Sequence, residues 1–575
     1  MSHSITGLPA ATGSALAPAF ILRTEHAVAD RTPGTPEEET TLLEQSIATA
    51  IEQLQDIAAK VRDEVGEEEA GIFDAHAMFA GDPALADMAK GDIANGTRAD
   101  IAVATAFTTF KEMLMSTGDE YMMARAADMD DVSNRVQAII NGVDLTVAVP
   151  SEPSVIIAEE LTPSQTATLP KELMAALVTE KGSATSHAAI LARAAEIPAV
   201  VGAEGIIAAV EPGTLVGVNG ATGVMVIDPD EHEAEEIELR IQRESRRKES
   251  LAELVNTPGQ TKDGQRVELA ANIGGLEHLP LAVAQGAEGS GLVRSELVFQ
   301  DRTTAPTAEE QAEFYGKALA AFPGNRVVIR TMDVGADKPL PFVNQDPEEN
   351  PALGVRGVRL SLERPDLFDA QLRGLLMAYR DTTDGGRLAI MFPMVSVVSE
   401  FKAAKQRTLE IAQELGVDTT NLEIGMMIEV PVAALLADQL AEYADFFSIG
   451  TNDLVQYLFA ADRLDSRLAK LAQYLNPAVI RLINQVVKGA NRHGAWVGIC
   501  GESASDPAMA VIAAGLGVRE LSMTPTAIGE VKDTLRNLTM NQCNNAAELA
   551  MNCTTSQEVR ERVMEIISEA RGRLG

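Results

Sequence analysis

At 575 residues the chain is long enough for three or four domains, each able to bury its own core. A formal charge of −37 argues against nucleic acid as a partner and leaves two uses for an acidic surface, solubility and the steering of a basic protein. The three cysteines, Cys500, Cys543 and Cys553, have neither metal-type spacing nor an even count, so they exclude a disulfide framework and fit a reducing compartment.

The start, "MSHSITGLPAATGSALAPAFIL", lacks the basic region and unbroken apolar core of a signal peptide and reads as strand and loop. At Thr35 the text turns helical. Thr35 is placed as N-cap, Pro36 at the first helical position and Glu38 completes a capping box; Leu43, Ile47, Leu54, Ile57 and Val61 then recur at helical spacing. A further helix starts at "GDPALADMAK" with Asp82 as its cap, and residues 36 to 143 read as a bundle with acidic runs at "EEE", "GEEEAG" and "DMDD".

From about 144 the pattern becomes short β-branched runs, "LTVAVP", "SVIIAEEL", "AALVTE" and "PAVVG", split by Pro and Gly, which predicts an α/β domain into which the bundle is inserted. Within it, "EKGSATSHAAILARAAEIPAVVG" places His187 at a helix start. Thr185 or Ser186 caps that helix, and Ile190, Leu191, Ala194 and Ile197 form its buried face. The unpaired amides and dipole there would stabilise an anion on or beside the imidazole and favour its neutral, nucleophilic form. The longest charge-free run, "PGTLVGVNGATGVMVI", is too short and too broken for a membrane span, so a soluble, cytoplasmic protein is expected. "DEHEAEEIELRIQRESRRKESLAELV", charged nearly all round, reads as a solvent-bridging helix between domains.

Eight strand candidates alternate with helical patterns after residue 260: "VELAANI", "GSGLV", "RVVIRTM", "LAIMFP", "EIGMMIE", "DFFSIG", "WVGIC" and "ELSM". They predict a (β/α)8 barrel, although "RGVRLSL" offers a ninth strand. Polar residues end or follow five of these strands: Arg294, Arg330, Glu429, Asn452 with Asp453, and Cys500. Catalytic groups in such barrels come from the carboxyl ends of strands. Two carboxylates suit Mg²⁺, and the arginines, with Arg463 downstream, suit a phosphate or carboxylate substrate.

The stretches "SATSHAAILARAAEIPAVVG", "GSGLVRSELVFQDR", "RTMDVGADKPLP", "EENPALGVRGVRLSL", "IMFPMVS", "IEVPVA", "DFFSIGTNDLVQYLFAADR" and "GICGE" occur in this order along the chain. Together they closely resemble enzyme I of the bacterial sugar phosphotransferase system, the phosphoenolpyruvate-protein phosphotransferase family. The resemblance implies a swivelling α/β phosphohistidine domain (1–35 and 144–229), an inserted helical subdomain (36–143), a linker helix (230–260) and a barrel that binds phosphoenolpyruvate and forms a homodimer (261–575). It implies that His187 takes the phosphoryl group from phosphoenolpyruvate. Arg294 and Arg330 would contact the substrate phosphate, Asn452, Asp453 and Arg463 would complete its binding, and Arg356 would assist. Glu429 and Asp453 would hold Mg²⁺, and Cys500 would protonate C3 of the enolate as pyruvate forms. The implied acceptor is the histidine-containing phosphocarrier protein, docking on the helical subdomain through Glu67, Glu68 and Met78 in the first step of sugar uptake. One departure stands out: Lys181 occupies a position where the family often has glycine, which bears on loop geometry or local charge. The alternatives are a pyruvate phosphate dikinase or phosphoenolpyruvate synthase, for whose ATP-binding domain no segment is free, and an inactive regulatory relative, against which the intact site residues argue.

Overall fold

The computed structural model describes residues 3–22, 31–64, 67–115, 120–143, 148–183, 186–300, 302–335, 340, 342–343, 348–382, 384–463 and 465–572. The chain divides into two compact units, Met1–Arg247 and Lys248–Gly575. No helix among the described residues is long and apolar enough to cross a membrane.

The first unit opens with strands β1 (His3–Thr6), β2 (Leu8–Ala11) and β3 (Ser14–Leu22). Helices α1 (Pro36–Glu64), α2 (Glu67–Ala80), α3 (Pro83–Ala94), α4 (Ala99–Met115) and α5 (Glu120–Asn141) follow, then β4 (Ser154–Ala158), α6 (Pro163–Thr168), β5 (Met174–Thr179), α7 (His187–Ala194), β6 (Ala199–Val201), α8 (Ile206–Ala209), β7 (Leu215–Asn219), β8 (Val224–Ile227) and α9 (Glu231–Glu253), within which the first unit ends. The strands make one sheet in the order β1-β8-β7-β3-β4-β5-β6-β2, with β3, β4, β5 and β6 parallel. The five-helix bundle is thus an insertion between two paired strands, β3 and β4. Its entry is the capping box read from sequence: Thr35 Oγ1 accepts from Glu38 N–H at 3.3 Å, and Glu38 Oε2 accepts from Thr35 N–H at 2.8 Å. Leu43, Leu54, Phe73, Ile93, Val103, Phe107 and Val132 form its buried core.

The strand expected at "LTVAVP" is described only at its end: residues 148–150 are irregular, and 144–147 lie outside the described residues. The charge-free run rejected as a membrane span is the antiparallel hairpin β7–β8, turned by "NGATG". Helix α9 buries only Ile237, as its all-round charge requires.

In the second unit, β9 (Glu268–Ile273), β10 (Gly289–Arg294), β11 (Arg326–Arg330), β12 (Arg387–Phe392), β13 (Glu423–Ile428), β14 (Phe446–Ile449), β15 (Trp496–Ile499) and β16 (Glu520–Met523) close into a parallel barrel. All eight are the strands read from sequence. The ninth candidate, "RGVRLSL", is instead the helix Val358–Glu363. Gly357 opens it at φ +59°, a left-handed conformation that glycine adopts without strain.

The barrel interior is layered. Leu292, Val328, Ala389, Met391 and Met427 fill its middle. At the amino ends lies a charged plug that no sequence pattern announced. Arg326 donates to Glu268 at 2.8 Å and to Glu423 at 2.7 Å, and its guanidinium carbon sits 4.1 Å above the ring of Trp496. Trp496 stacks on Phe446 with centroids 4.6 Å apart and donates Nε1–H to Glu423 at 3.0 Å. Beside them Glu520 is 1% exposed, and neither of its carboxyl oxygens has a hydrogen-bond partner. Gly291 leaves the room it needs, since a Cβ there would lie 2.3 Å from Glu520 Oε1.

Candidate active site

The carboxyl ends of the barrel strands surround an open cleft of about 550 Å³. Arg294, Arg330, Arg356, Glu429, Asn452, Asp453, Arg463 and Cys500 all line it, together with Asp333 and Met427. Each arrives by a simple local device. Arg294 and Arg330 are the last residues of β10 and β11. Glu429 and Cys500 follow directly on β13 and β15, and Asn452 and Asp453 lie in the first turn of the helix Thr451–Phe459 after β14.

Charge alternates through the cleft wall. Arg330 Nη1 lies 2.9 Å from Asp333 Oδ2, and Arg356 Nη2 contacts both oxygens of the same carboxylate at 3.1 and 3.0 Å. Arg356 Nη1 is 3.6 Å and Arg463 Nη1 3.7 Å from Asp453 Oδ1. Both buried arginines stay charged: burial opposes ionisation, but the surrounding carboxylates, Asp333 foremost for Arg356 and Glu296 foremost for Arg330, outweigh it and raise their pKa. Arg294 and Arg463 are exposed and face solvent at the cleft. Arg330 Nε is buried without an acceptor.

Cys500 is 4% exposed, and burial pushes its thiol up to about 12, so it carries its proton throughout the neutral range. It is held from behind by Asn272, whose Nδ2–H donates to the Cys500 carbonyl at 3.0 Å while its Oδ1 accepts from Ser522 at 2.7 Å. Glu429 is fully buried and accepts from Met394 N–H at 2.6 Å, with Met394 itself at φ +59°. A non-glycine residue in that conformation is local strain retained at a site. Burial first, then the like charges of Asp333 and Asp453, raise Glu429 to about 8.

That electrostatic imbalance tests the fit of a divalent ion. Glu429 Oε2 and Asp453 Oδ1 are buried without a hydrogen-bond donor. Two hard carboxylate oxygens without a hydrogen-bond donor, one of them facing only the longer ion pairs to Arg356 and Arg463, match the protein's share of a Mg²⁺ site, which otherwise keeps waters and substrate oxygens. Among the described residues no group of three or more His, Cys, Asp or Glu forms a complete protein cage.

The remaining candidates belong to the first unit. His187 is the first residue of α7, and the cap is Ser186, whose Oγ accepts from Ala189 N–H at 3.4 Å; Thr185 and the side chains of His187 and Ala194 lie outside the described residues. The buried face of α7 differs from expectation. Ala188, Ala189, Leu191 and Ala192 are buried, and Ile197 beyond it, whereas Ile190 is 38% exposed. Small alanines let the helix lie close against Leu177, Ala199 and Val201, which turns Ile190 outward. Lys181 reaches sideways to Glu159 Oε1 at 2.6 Å, and its carbonyl accepts from Thr179 Oγ1 at 2.6 Å, so its ammonium is engaged within the loop. In the bundle Met78 is 76% exposed on α2; the side chains of Glu67 and Glu68 lie outside the described residues.

The family model described as the PEP-binding domain of PEP-utilising enzymes matches residues 248–540, that of their N-terminal domain 6–125 and that of their mobile domain 150–223. The phosphoenolpyruvate-protein phosphotransferase of Priestia megaterium is 40% identical over 98% of this chain and 99% of its own. That of Geobacillus stearothermophilus is 42% identical over 97% of each. The chain belongs to the phosphoenolpyruvate-protein phosphotransferases. It is therefore a transferase. Among solved structures, an NMR structure of an Enzyme I protein is 34% identical and covers 42% of this chain and 99% of its own, with a TM-score of 0.38. Sequence reading of this phosphotransferase missed Asp333, the carboxylate shared by Arg330 and Arg356, and Glu296 behind it. Their only trace was an acid two or three residues beyond a strand-end arginine, in "VRSE" and "IRTMD".

Proposed function

We propose that this phosphotransferase moves the phosphoryl group of phosphoenolpyruvate to its own His187, releasing pyruvate, and then to the histidine of a small phosphocarrier protein, the first step of sugar uptake. The observation that carries this reading is one cleft in which four arginines, two carboxylate oxygens without a hydrogen-bond donor and a protonated thiol converge.

In this mechanism Arg294, Arg330, Arg356 and Arg463 bind the phosphate and carboxylate of the substrate, with Asn452 as an amide partner, and spread the negative charge of phosphoryl transfer over fixed guanidinium groups. Mg²⁺ held by Glu429 and Asp453 would supply further neutralisation of the phosphoryl oxygens. A ring nitrogen of His187 attacks phosphorus as the bond to the enolate oxygen breaks. Cys500 delivers its Sγ proton to C3 of the enolate, giving pyruvate, and the resulting thiolate recovers a proton from water. The first unit then presents phosphohistidine to the phosphocarrier, for which the bundle supplies the docking surface: exposed Met78 amid acidic helices offers an apolar contact and a field suited to a basic partner. Exposed Leu353, Val397, Val432 and Leu435 on the barrel support self-association of this unit into a homodimer.

The test is incubation of the purified protein with labelled phosphoenolpyruvate and Mg²⁺, with and without phosphocarrier. Acid-labile, base-stable label is expected on wild type, transferable to the carrier and absent from His187→Ala. Label that persists in that variant, or that requires ATP, refutes the reading.

A further inference from the structure

We propose that Glu296, which lies outside the cleft lining, is a positioning residue that sets Arg330 in its ligand-binding pose before substrate arrives. This rests on the reading above that Arg330 binds the substrate.

Glu296 opens a short turn directly after β10 and is 3% exposed. One oxygen, Oε1, accepts from Arg330 Nη2 at 2.8 Å and from the Asp333 N–H at 3.0 Å. Asp333 in turn holds Arg330 Nη1 at 2.9 Å, so the guanidinium is gripped on both terminal nitrogens while Nε stays open. A free arginine would lose rotamer entropy on meeting a ligand; this one has already lost it. Stability alone explains the arrangement poorly, because buried ion pairs seldom outperform apolar packing of the same volume.

The support extends further back. Next to Glu296, Ser295 Oγ accepts from Gln371 Nε2 at 3.1 Å, and Gln371 Oε1 accepts from Met332 N–H at 2.9 Å. Gln371 also donates to Tyr315 OH at 3.0 Å, and Tyr315 donates to Gln311 Oε1 at 3.0 Å. All five side chains are buried, so the segments after β10 and β11 are fixed to each other and to two outer helices. Glu296 is the member of this frame that touches a cleft arginine.

Initial rates of full-length Glu296→Gln, Glu296→Ala and Arg330→Ala should be compared with wild type over a range of phosphoenolpyruvate, with saturating Mg²⁺ and phosphocarrier. Glu296→Gln keeps the shape and loses the charge; its KM should rise by roughly tenfold with kcat within about threefold. Added formate, a carboxylate small enough for the space left in Glu296→Ala, should lower that variant's KM again. Denaturation curves from Trp496 fluorescence identify any loss of folded protein, and Glu296→Gln carries the test if the alanine variant fails to fold. KM unchanged in Glu296→Gln while Arg330→Ala raises it overturns this inference alone. KM unchanged in Arg330→Ala overturns the reading of Arg330 beneath it.

Discussion

Replacing Glu520 by Gln should make the barrel less sensitive to alkali. Burial, with the nearby charge of Glu268 second, raises the Glu520 carboxyl to about 8, and Arg326 is the sole opposing influence among Arg326, Glu268 and Glu423. The folded chain therefore keeps a proton that the unfolded chain releases above the ordinary carboxyl range. Since the native state binds more protons between those values, stability falls as pH rises through the interval and levels off above about pH 8. From about pH 6 to about pH 8 the single group accounts for roughly 2 kcal/mol, since the slope of about 1.4 kcal/mol per unit is halved by the time the group reaches its own pKa. Glutamine has no proton to lose, so the variant gains that amount relative to wild type as pH rises. The chain contains one tryptophan, and it stacks inside this plug, so denaturant titrations followed by its fluorescence report on the relevant unit. A wild-type-minus-variant difference that stays constant from about pH 6 to about pH 8.5 would show that Glu520 does not titrate there and refute the reasoning.

Cys500→Ala should retain substrate binding and lose about two orders of magnitude or more in turnover. Because burial holds the thiol near 12, wild-type kcat should show no thiolate inflection in the neutral range, and a pH profile with one would contradict the acid role. Lys532→Met should lower the unfolding free energy in denaturant titrations by about 2 to 4 kcal/mol, since the fully buried ammonium donates to the carbonyls of Leu254, Val255 and Gly286 at 3.2, 3.0 and 3.2 Å and methionine supplies no donor in its place, while Leu254 keeps only its bonds from Thr257. Val432→Asp with Leu435→Asp should shift sedimentation velocity profiles toward monomer; an unchanged profile would move any dimer contact elsewhere.

Much of the barrel was readable because parallel strands buried on both faces appear as unbroken apolar runs bounded by Gly and Pro. The cleft was readable because a charge at the end of such a run has few structural uses. What stayed hidden depended on contacts between distant segments. Glu296, inside "RSELVF", looks like any surface acid until Arg330 folds onto it. "RGVRLSL" alternates as a strand would, yet Gly357 starts a helix whose buried residues are Val358, Leu360 and Ser361. Ile190 falls on the apolar period of α7, but its alanines already fill the space against the sheet. The plug at the amino ends is built from the first residues of six strands, an adjacency that exists only once the barrel closes.

The placement of the bundle also constrains how this protein can be shortened. Strands β3 and β4 are hydrogen-bonded neighbours running the same way, with Ala19 opposite Val155 and Leu22 opposite Ala158. Parallel neighbours cannot be joined by a tight turn; the chain must travel back along the sheet before starting the second strand. The five helices are thus an enlarged form of the single crossover helix that most such pairs use. An excised version would need a returning segment of at least about a dozen residues between Leu22 and Ser154, and a two-residue splice would break the sheet that carries His187.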